Sequence, residues 1–283
     1  MEQEIIQVNQ AETLSAIDRA EIDIQIATAK RYPRDIHRAL SVIKDIATLD
    51  TSTAEDCFYA LRRQGTLIEG VSVRLAEIIA NAWGNLRVQT QIIGNDGKTI
   101  TARGICHDLE ANVAVAVEVK RRITDKNGRT YSEDMQVTTG NAASAIAYRN
   151  AVLKVVPKAV TSRVITEIKD VAMGKSIDLE TRRKRMLEYY QKIGVTQAKI
   201  LSYCHVNKVE QIDGSMIFEL SGLKNAIKEG TTTVQQAFDL NTADSEKIAD
   251  EARKKAEETK NRIEQASAQA TAQNTQETQN QEK

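Results

Sequence analysis

The chain is poor in the residues that staple, break or decorate a fold. It has three cysteines, two prolines and 4% aromatic residues in 283. Cys57, Cys106 and Cys204 are odd in number and widely spaced, which argues against a disulfide framework and fits a reducing compartment. So few aromatics exclude base stacking as the main source of affinity for any nucleic acid. No run of about 18 apolar residues is present to span a bilayer, and the opening MEQEIIQVNQ lacks a basic-then-apolar leader. The expectation is a cytoplasmic protein with no membrane partner. Net charge is also lacking, with Lys+Arg 39 against Asp+Glu 39. Hydrophobic residues make up 41%, enough for a core and too many for a disordered chain.

Charge is distributed unevenly. The first 29 residues hold six acids and one base, whereas residues 141–175 hold six bases and two acids. A neutral chain with that distribution can carry a basic face.

Apolar spacing predicts two helices over 15–48, parted near Tyr32 and Pro33. Thr53 and Asp56 suggest a cap and a short helix running through Arg62 and Arg63 to Gly65. Ile68-Glu69-Gly70 reads as a turn, Ser72 as an N-cap, and Val73 to Trp83 as a helix stopped by Gly84. The period then becomes two. Leu86–Ile93 and Lys98–Cys106 alternate around Asn95-Asp96-Gly97, a strong hairpin signal. Val113, Val115, Val117 and Val119 mark the buried face of a third strand, and Arg129 to about Thr138 reads as a fourth. The fold class expected is α+β: an antiparallel meander of three to four strands packed with a long helix from about Gly140 to Val156, which Pro157 ends or kinks before helix continues to Met173.

Four regions follow: an N-terminal helical segment (1–52), an α+β core (53–175), a small helical module (176–240) and a charged helix with a disordered tail (241–283). Met186, Leu187, Tyr190, Ile200, Leu201, Ile217, Leu220, Leu223 and Ile227 are the module's expected core. The tail, rich in Gln, Asn, Thr, Ala and Glu, has no apolar period.

Gly174-Lys175-Ser176 resembles the end of a phosphate loop, but Lys169 stands where its first glycine is required. Cys106-His107 and Cys204-His205 are adjacent pairs without metal-ligand spacing, so core cysteines and surface histidines are the better reading. Asp108, Glu110, Glu133 and Asp134 would have to converge for a metal-dependent nuclease; solvated loop carboxylates are the default. The basic residues form a more coherent set. Arg87, Gln89 and Gln91 share one strand face, Thr101 and Arg103 another, and Lys120 and Arg122 lie opposite the valines, so matching registers would create a cationic strip. On the long helix Ala147, Ala151, Lys154 and Lys158 fall at three-to-four spacing, where small residues would let a phosphate backbone approach the ammonium groups. Ordinary solvated charge is the bland alternative.

Leu67-Ile68-Glu69-Gly70, the helix Val73 to Ala82, Trp83-Gly84-Asn85, three or four antiparallel strands and the long basic helix resemble the core of single-strand DNA annealing recombinases. The similarity is to the eukaryotic Rad-type annealing protein and to phage recombinases of the Sak, Erf and RecT kinds, and the stretch from about Cys57 to Ile165 also resembles uncharacterised phage proteins with the run Ser72-Val73-Arg74-Leu75-Ala76-Glu77. It implies a ββ(β)βα unit assembling as a homo-oligomeric ring or filament, with single-stranded DNA in a basic groove between sheet and helix. By position it implies backbone contacts from Arg149 and Lys154 on the long helix, with Lys158 beyond it, and from Arg62 and Arg63 before the Ile-Glu-Gly turn. The family's adjacent Lys-Arg pair is missing, since Asn150 follows Arg149. Arg87, Arg103, Lys120 and Arg122 complete the expected DNA-binding set. Annealing needs no bond-making residue and no cofactor, because pairing supplies the energy and the protein offsets phosphate repulsion. The resemblance also makes a phage exonuclease and the host single-strand-binding protein candidate partners. The rival readings are a metal-dependent DNA-processing enzyme and an assembly or scaffold protein.

Overall fold

The computed structural model describes residues 10–63, 65–125, 127–173 and 179–238. The Gly174-Lys175-Ser176 triplet and the tail beyond Leu240 lie outside them. Ten α-helices and five strands are described, in two compact units. Among the described residues the first runs to Leu179 and takes in Asp213–Thr233; the second comprises Glu180–Ile212 and Val234–Phe238.

In the first unit α1 (Gln10–Arg31) and α2 (Ile36–Ala47) flank Pro33, as their spacing predicts. α2 starts where the Asp35 side chain accepts from the Arg38 amide. α3 (Thr51–Asp56) is capped by Asp50 and ends six residues later. There the structure departs from expectation: Phe58–Arg63 is strand β1, paired antiparallel with β2 (Thr66–Val71). Ile68-Glu69-Gly70 therefore lies within a strand, and the turn sits at Gly65, whose φ of 77° suits glycine. The strand was hidden because Ala60 and Leu61 are both buried, which erases the alternation. α4 (Val73–Trp83) agrees with expectation, Ser72 Oγ accepting from the Leu75 amide and Gly84 closing it at φ 67°.

β3 (Leu86–Asn95), β4 (Thr99–Asp108) and β5 (Val113–Arg122) form a three-stranded antiparallel sheet in the order β3-β4-β5, with a bulge between Ile92 and Gly94. The fourth strand is not formed. Thr130 makes a single bridge to Thr124, and the chain then enters α5 (Glu133–Val155), with Glu133 and Asp134 in the first turn, where carboxylates favour a helix N-terminus. α5 packs on the inner sheet face through Ala143, Ala147 and Ala151, all fully buried. A Cβ on Gly104 would stand 2.5 Å from the Ala147 carbonyl carbon, so only glycine permits this approach. α6 (Lys158–Ala172) follows Pro157 and completes a core with α2, α3 and α4.

The second unit contains α7 (Leu179–Lys192), α8 (Gln197–Tyr203) and, beyond the next segment, α10 (Val234–Phe238). Its core holds Met186, Tyr190, Ile200 and Phe238, with the Tyr190 and Phe238 rings edge to face at 5.3 Å. α9 (Gly214–Lys228), expected in this module, packs instead on β1 in the first unit, with Gly222 against Ala60 and Phe218 against Phe58.

Candidate nucleic-acid interface

Register decides what the sheet presents. Gln91 stands opposite Arg103 and Arg103 opposite Glu118; Thr101 faces Lys120 and Thr99 faces Arg122. Arg87 pairs with His107 and Gln89 with Ile105 in the same phase. With a side-chain period of two, Arg87, Gln89, Gln91, Thr101, Arg103, Lys120 and Arg122 lie on the face away from α5. Four cations share it with one carboxylate, Glu118. Arg103 donates to Glu118 at 2.7 Å, both about half exposed, a pairing too solvated to bind either tightly. Lys120 and Arg122 are exposed and about 7 Å apart along the strand. Arg87 is half-buried and donates to Gln25 of α1 at 3.2 Å.

The remaining expected contacts divide. Lys154 and Lys158 are exposed, whereas Arg149 is buried. Its guanidinium donates to Glu229 at 3.2 Å and lies 4.7 Å above the Tyr59 ring. Glu229 in turn accepts from the Val73 amide at the start of α4. Burial pushes the Glu229 carboxyl above its ordinary value, against the pull of that amide and of Arg149. Arg149 thus ties α5, α9 and α4 together and presents nothing to a ligand. Arg62 donates to Glu219 through Nε at 2.5 Å and Nη2 at 2.9 Å, while Arg63 is exposed. The alanines of α5 serve the sheet rather than a phosphate backbone, and the contact of Gly104 with Ala147 leaves no groove between sheet and helix at that point. Trp83 is buried beneath the Arg34 guanidinium, 4.9 Å from its ring.

The four carboxylates of the nuclease alternative are kept apart. Asp108 ends β4, and α5 begins beside the hairpin at the opposite end, fixed by Asn95 to Gln136 and by Thr130 to Gly97; ten residues of strand put the two ends about 30 Å apart. Asp108 and Glu110 are both taken by Arg34, with bonds of 2.7 and 2.5 Å to the first and 3.1 Å to the second. Glu110 sits below its ordinary value: burial opposes this, and the Arg34 amide, the Asn85 amide and the Arg34 guanidinium outweigh it. No group of three or more His, Cys, Asp or Glu able to hold a metal ion occurs among the described residues. Cys106 and His107 point to opposite sheet faces, and burial pushes the Cys106 thiol up to about 11 and that of Cys57 to about 12, far from a nucleophilic thiolate at neutral pH. No described helix is long and apolar enough to cross a membrane.

Arg121 was missed by sequence reasoning. It is half-buried on the helix side of the sheet and donates to the Gly230 carbonyl. Its signal was the break it makes in the inward row Val115, Val117, Val119.

The chain matches no protein-family model, no curated protein and no solved structure.

Proposed function

We propose that this protein binds single-stranded DNA and anneals complementary strands as a homo-oligomer, without catalysing bond making or breaking. The observation that carries the reading is the register of the three-stranded sheet, which gathers Arg87, Arg103, Lys120 and Arg122 with Gln89, Gln91 and Thr101 on one face. Cations of this kind neutralise phosphates without reading sequence, and the amides and hydroxyls between them offer backbone oxygens further hydrogen bonds. The strand lies across the outer sheet face rather than between sheet and helix, with its base edges turned out for pairing. Lys154 and Lys158, on the helical side, contact a second strand or a neighbouring copy's strand.

Two features support assembly. β3 and β5 are edges of their sheet, each ten residues long, with backbone groups available for strand addition. Leu67, Ile68, Met135 and Val137 are exposed apolar side chains of the first unit, suited to burial between copies.

The test is annealing of two complementary dye-labelled oligonucleotides by the purified protein, without nucleotide or magnesium, over a salt series with strand length followed on a gel. Acceleration with uncut strands, lost at high salt, is the expected result. Cleavage on adding magnesium would support an enzyme instead, and absence of DNA binding would support a scaffold.

A further inference from the structure

The helix α1 is long and little covered. Its 22 residues span about 33 Å at the α-helical rise, yet it packs closely on no other described element. Its seat lies toward the C-terminal end. Ala29 is buried with Ile22 and Ile26 half-buried beside it, Gln25 accepts from Arg87, and the Tyr32 carbonyl accepts from the Asn85 side-chain amide at 3.0 Å. At about 100° per residue, the side of α1 turned away from that seat carries Ile17, Ala20, Ile24 and Ala27, all exposed. Their three-four-three spacing is that of a helix–helix seam. Ile17 is 49% exposed, Ile24 66%, and Tyr32, just past the helix end, 64%. One exposed isoleucine is ordinary, but a row of apolar side chains along an uncovered helix marks a contact surface.

Charge along α1 is polarised. Asp18, Glu21 and Asp23 lie in its middle turns and Lys30 and Arg31 in its last, and Asp18, Glu21, Asp23 and Lys30 have no ion-pair partner among the described residues. Two such helices laid parallel would set acid against acid. Laid antiparallel, the acidic turns of each meet the basic end of the other.

We propose that α1 is an interface with a second copy of this chain, the two helices antiparallel about a two-fold axis, in the register that sets Ile24 against the partner's Ala27. The same register sets Ala20 against the aliphatic stem of the partner's Arg31, Ile17 beside the partner's Tyr32, and Asp23 within reach of the partner's Lys30, and the axis repeats each contact. Sliding the pair by one heptad toward the N-termini keeps isoleucine on alanine but brings Asp23 onto the partner's Asp23 and Glu21 onto the partner's Glu21, so charge selects the register. The seam faces away from the seat of α1, which puts the two bodies on opposite sides of the helix pair and leaves the edges of β3 and β5 open. The inference rests on the homo-oligomer of the reading above, one contact of which it names, and is independent of DNA.

The experiment uses the full chain with its three native cysteines, all buried, left in place. Ala20→Cys and Arg31→Cys chains, told apart by a tag, are oxidised alone and mixed. The mixture is expected to form a disulfide-linked dimer that neither chain forms by itself, whereas a parallel pair would link each chain to its own kind. Sedimentation velocity over a concentration series then follows self-association. Ile24→Asp is expected to weaken it about tenfold or more. Asp23→Lys and Lys30→Glu each set like charges together across the seam and are expected to weaken it too, while the double variant restores opposite pairs and recovers the wild-type value. These side chains are exposed, and far-UV circular dichroism checks that each variant folds. Failure of the double variant to recover would overturn the register. Linkage of either chain with itself as readily as in the mixture, or association that no α1 variant alters, would overturn the interface; in the second case assembly uses other surfaces and the homo-oligomer stands. Association lost in Ile24→Asp, together with no annealing by the wild type, would sustain the interface and overturn the DNA reading.

Discussion

The arginines of this protein differ in what surrounds them, and that difference governs what replacing each should do. Arg149→Ala strands Glu229 in the interior without its partner and is expected to cost roughly 3–5 kcal/mol in urea unfolding, whereas Arg103→Gln, whose salt bridge is solvated, should stay within about 1 kcal/mol. Equal losses would mean that the Arg149 ion pair is not the junction described. A carboxyl offers a complementary check. Asp96 accepts from the Lys98 and Thr99 amides and the Thr99 hydroxyl, which lower its pKa from 3.8 to about 2. A depressed folded pKa gives stability that is present above the ordinary value and lost as pH falls through about 2. Carbon-detected NMR titration should therefore place its midpoint near 2, and Asp96→Asn should flatten the acid side of the stability curve. Residues of this kind were partly legible in sequence. Arg103, Lys120 and Arg122 could be placed because strand alternation is strict, but Arg149 could not, because its partner is 80 residues away and nothing local records it.

Among the elements, the ones read correctly carry their own punctuation: Ser72 and Gly84 around α4, Asn95-Asp96-Gly97 between β3 and β4, Pro157 between α5 and α6. β1 and β2 lacked it. The phase of β1 is blurred by burial of both Ala60 and Leu61, and an antiparallel pair is stabilised by what covers it, here α9 from far along the chain. The first turns of α5 were mistaken for a strand because Gln136 and Thr138 alternate with apolar neighbours, although Glu133 and Asp134 after Ser132 were the available signal. The contact of β4 with α5 yields a sharp prediction at this scale. Gly104→Ala would drive a methyl into the Ala147 backbone, which cannot move without the whole helix. The expected loss is about 3 kcal/mol or more, at the upper end for overpacking, read as a fall in the urea midpoint. A neutral result would show that helix and sheet are farther apart than described.

For the whole molecule, the outer sheet face and the order of the chain matter most. Replacing Arg103, Lys120 and Arg122 together by Gln is expected to weaken single-stranded DNA binding and reduce its salt slope by about three, with little change in Tm because all three are exposed. Unchanged salt dependence would remove the sheet face from the interface. The α+β class, the meander and the long helix were legible; the way the first unit closes was not. That unit is discontinuous: Glu180–Ile212 intervenes before Asp213–Thr233 returns to complete it. A ribosome releases the chain in order, at about 5–20 residues per second. Arg149 therefore leaves the exit tunnel 80 residues ahead of Glu229, roughly 4–16 s at that pace. During that interval the face of β1 that α9 will cover is open. The nascent chain has to carry an unfinished core through the synthesis of the first part of a second unit, so any pause or truncation between Leu179 and Asp213 strands it in the state most exposed to aggregation and proteolysis.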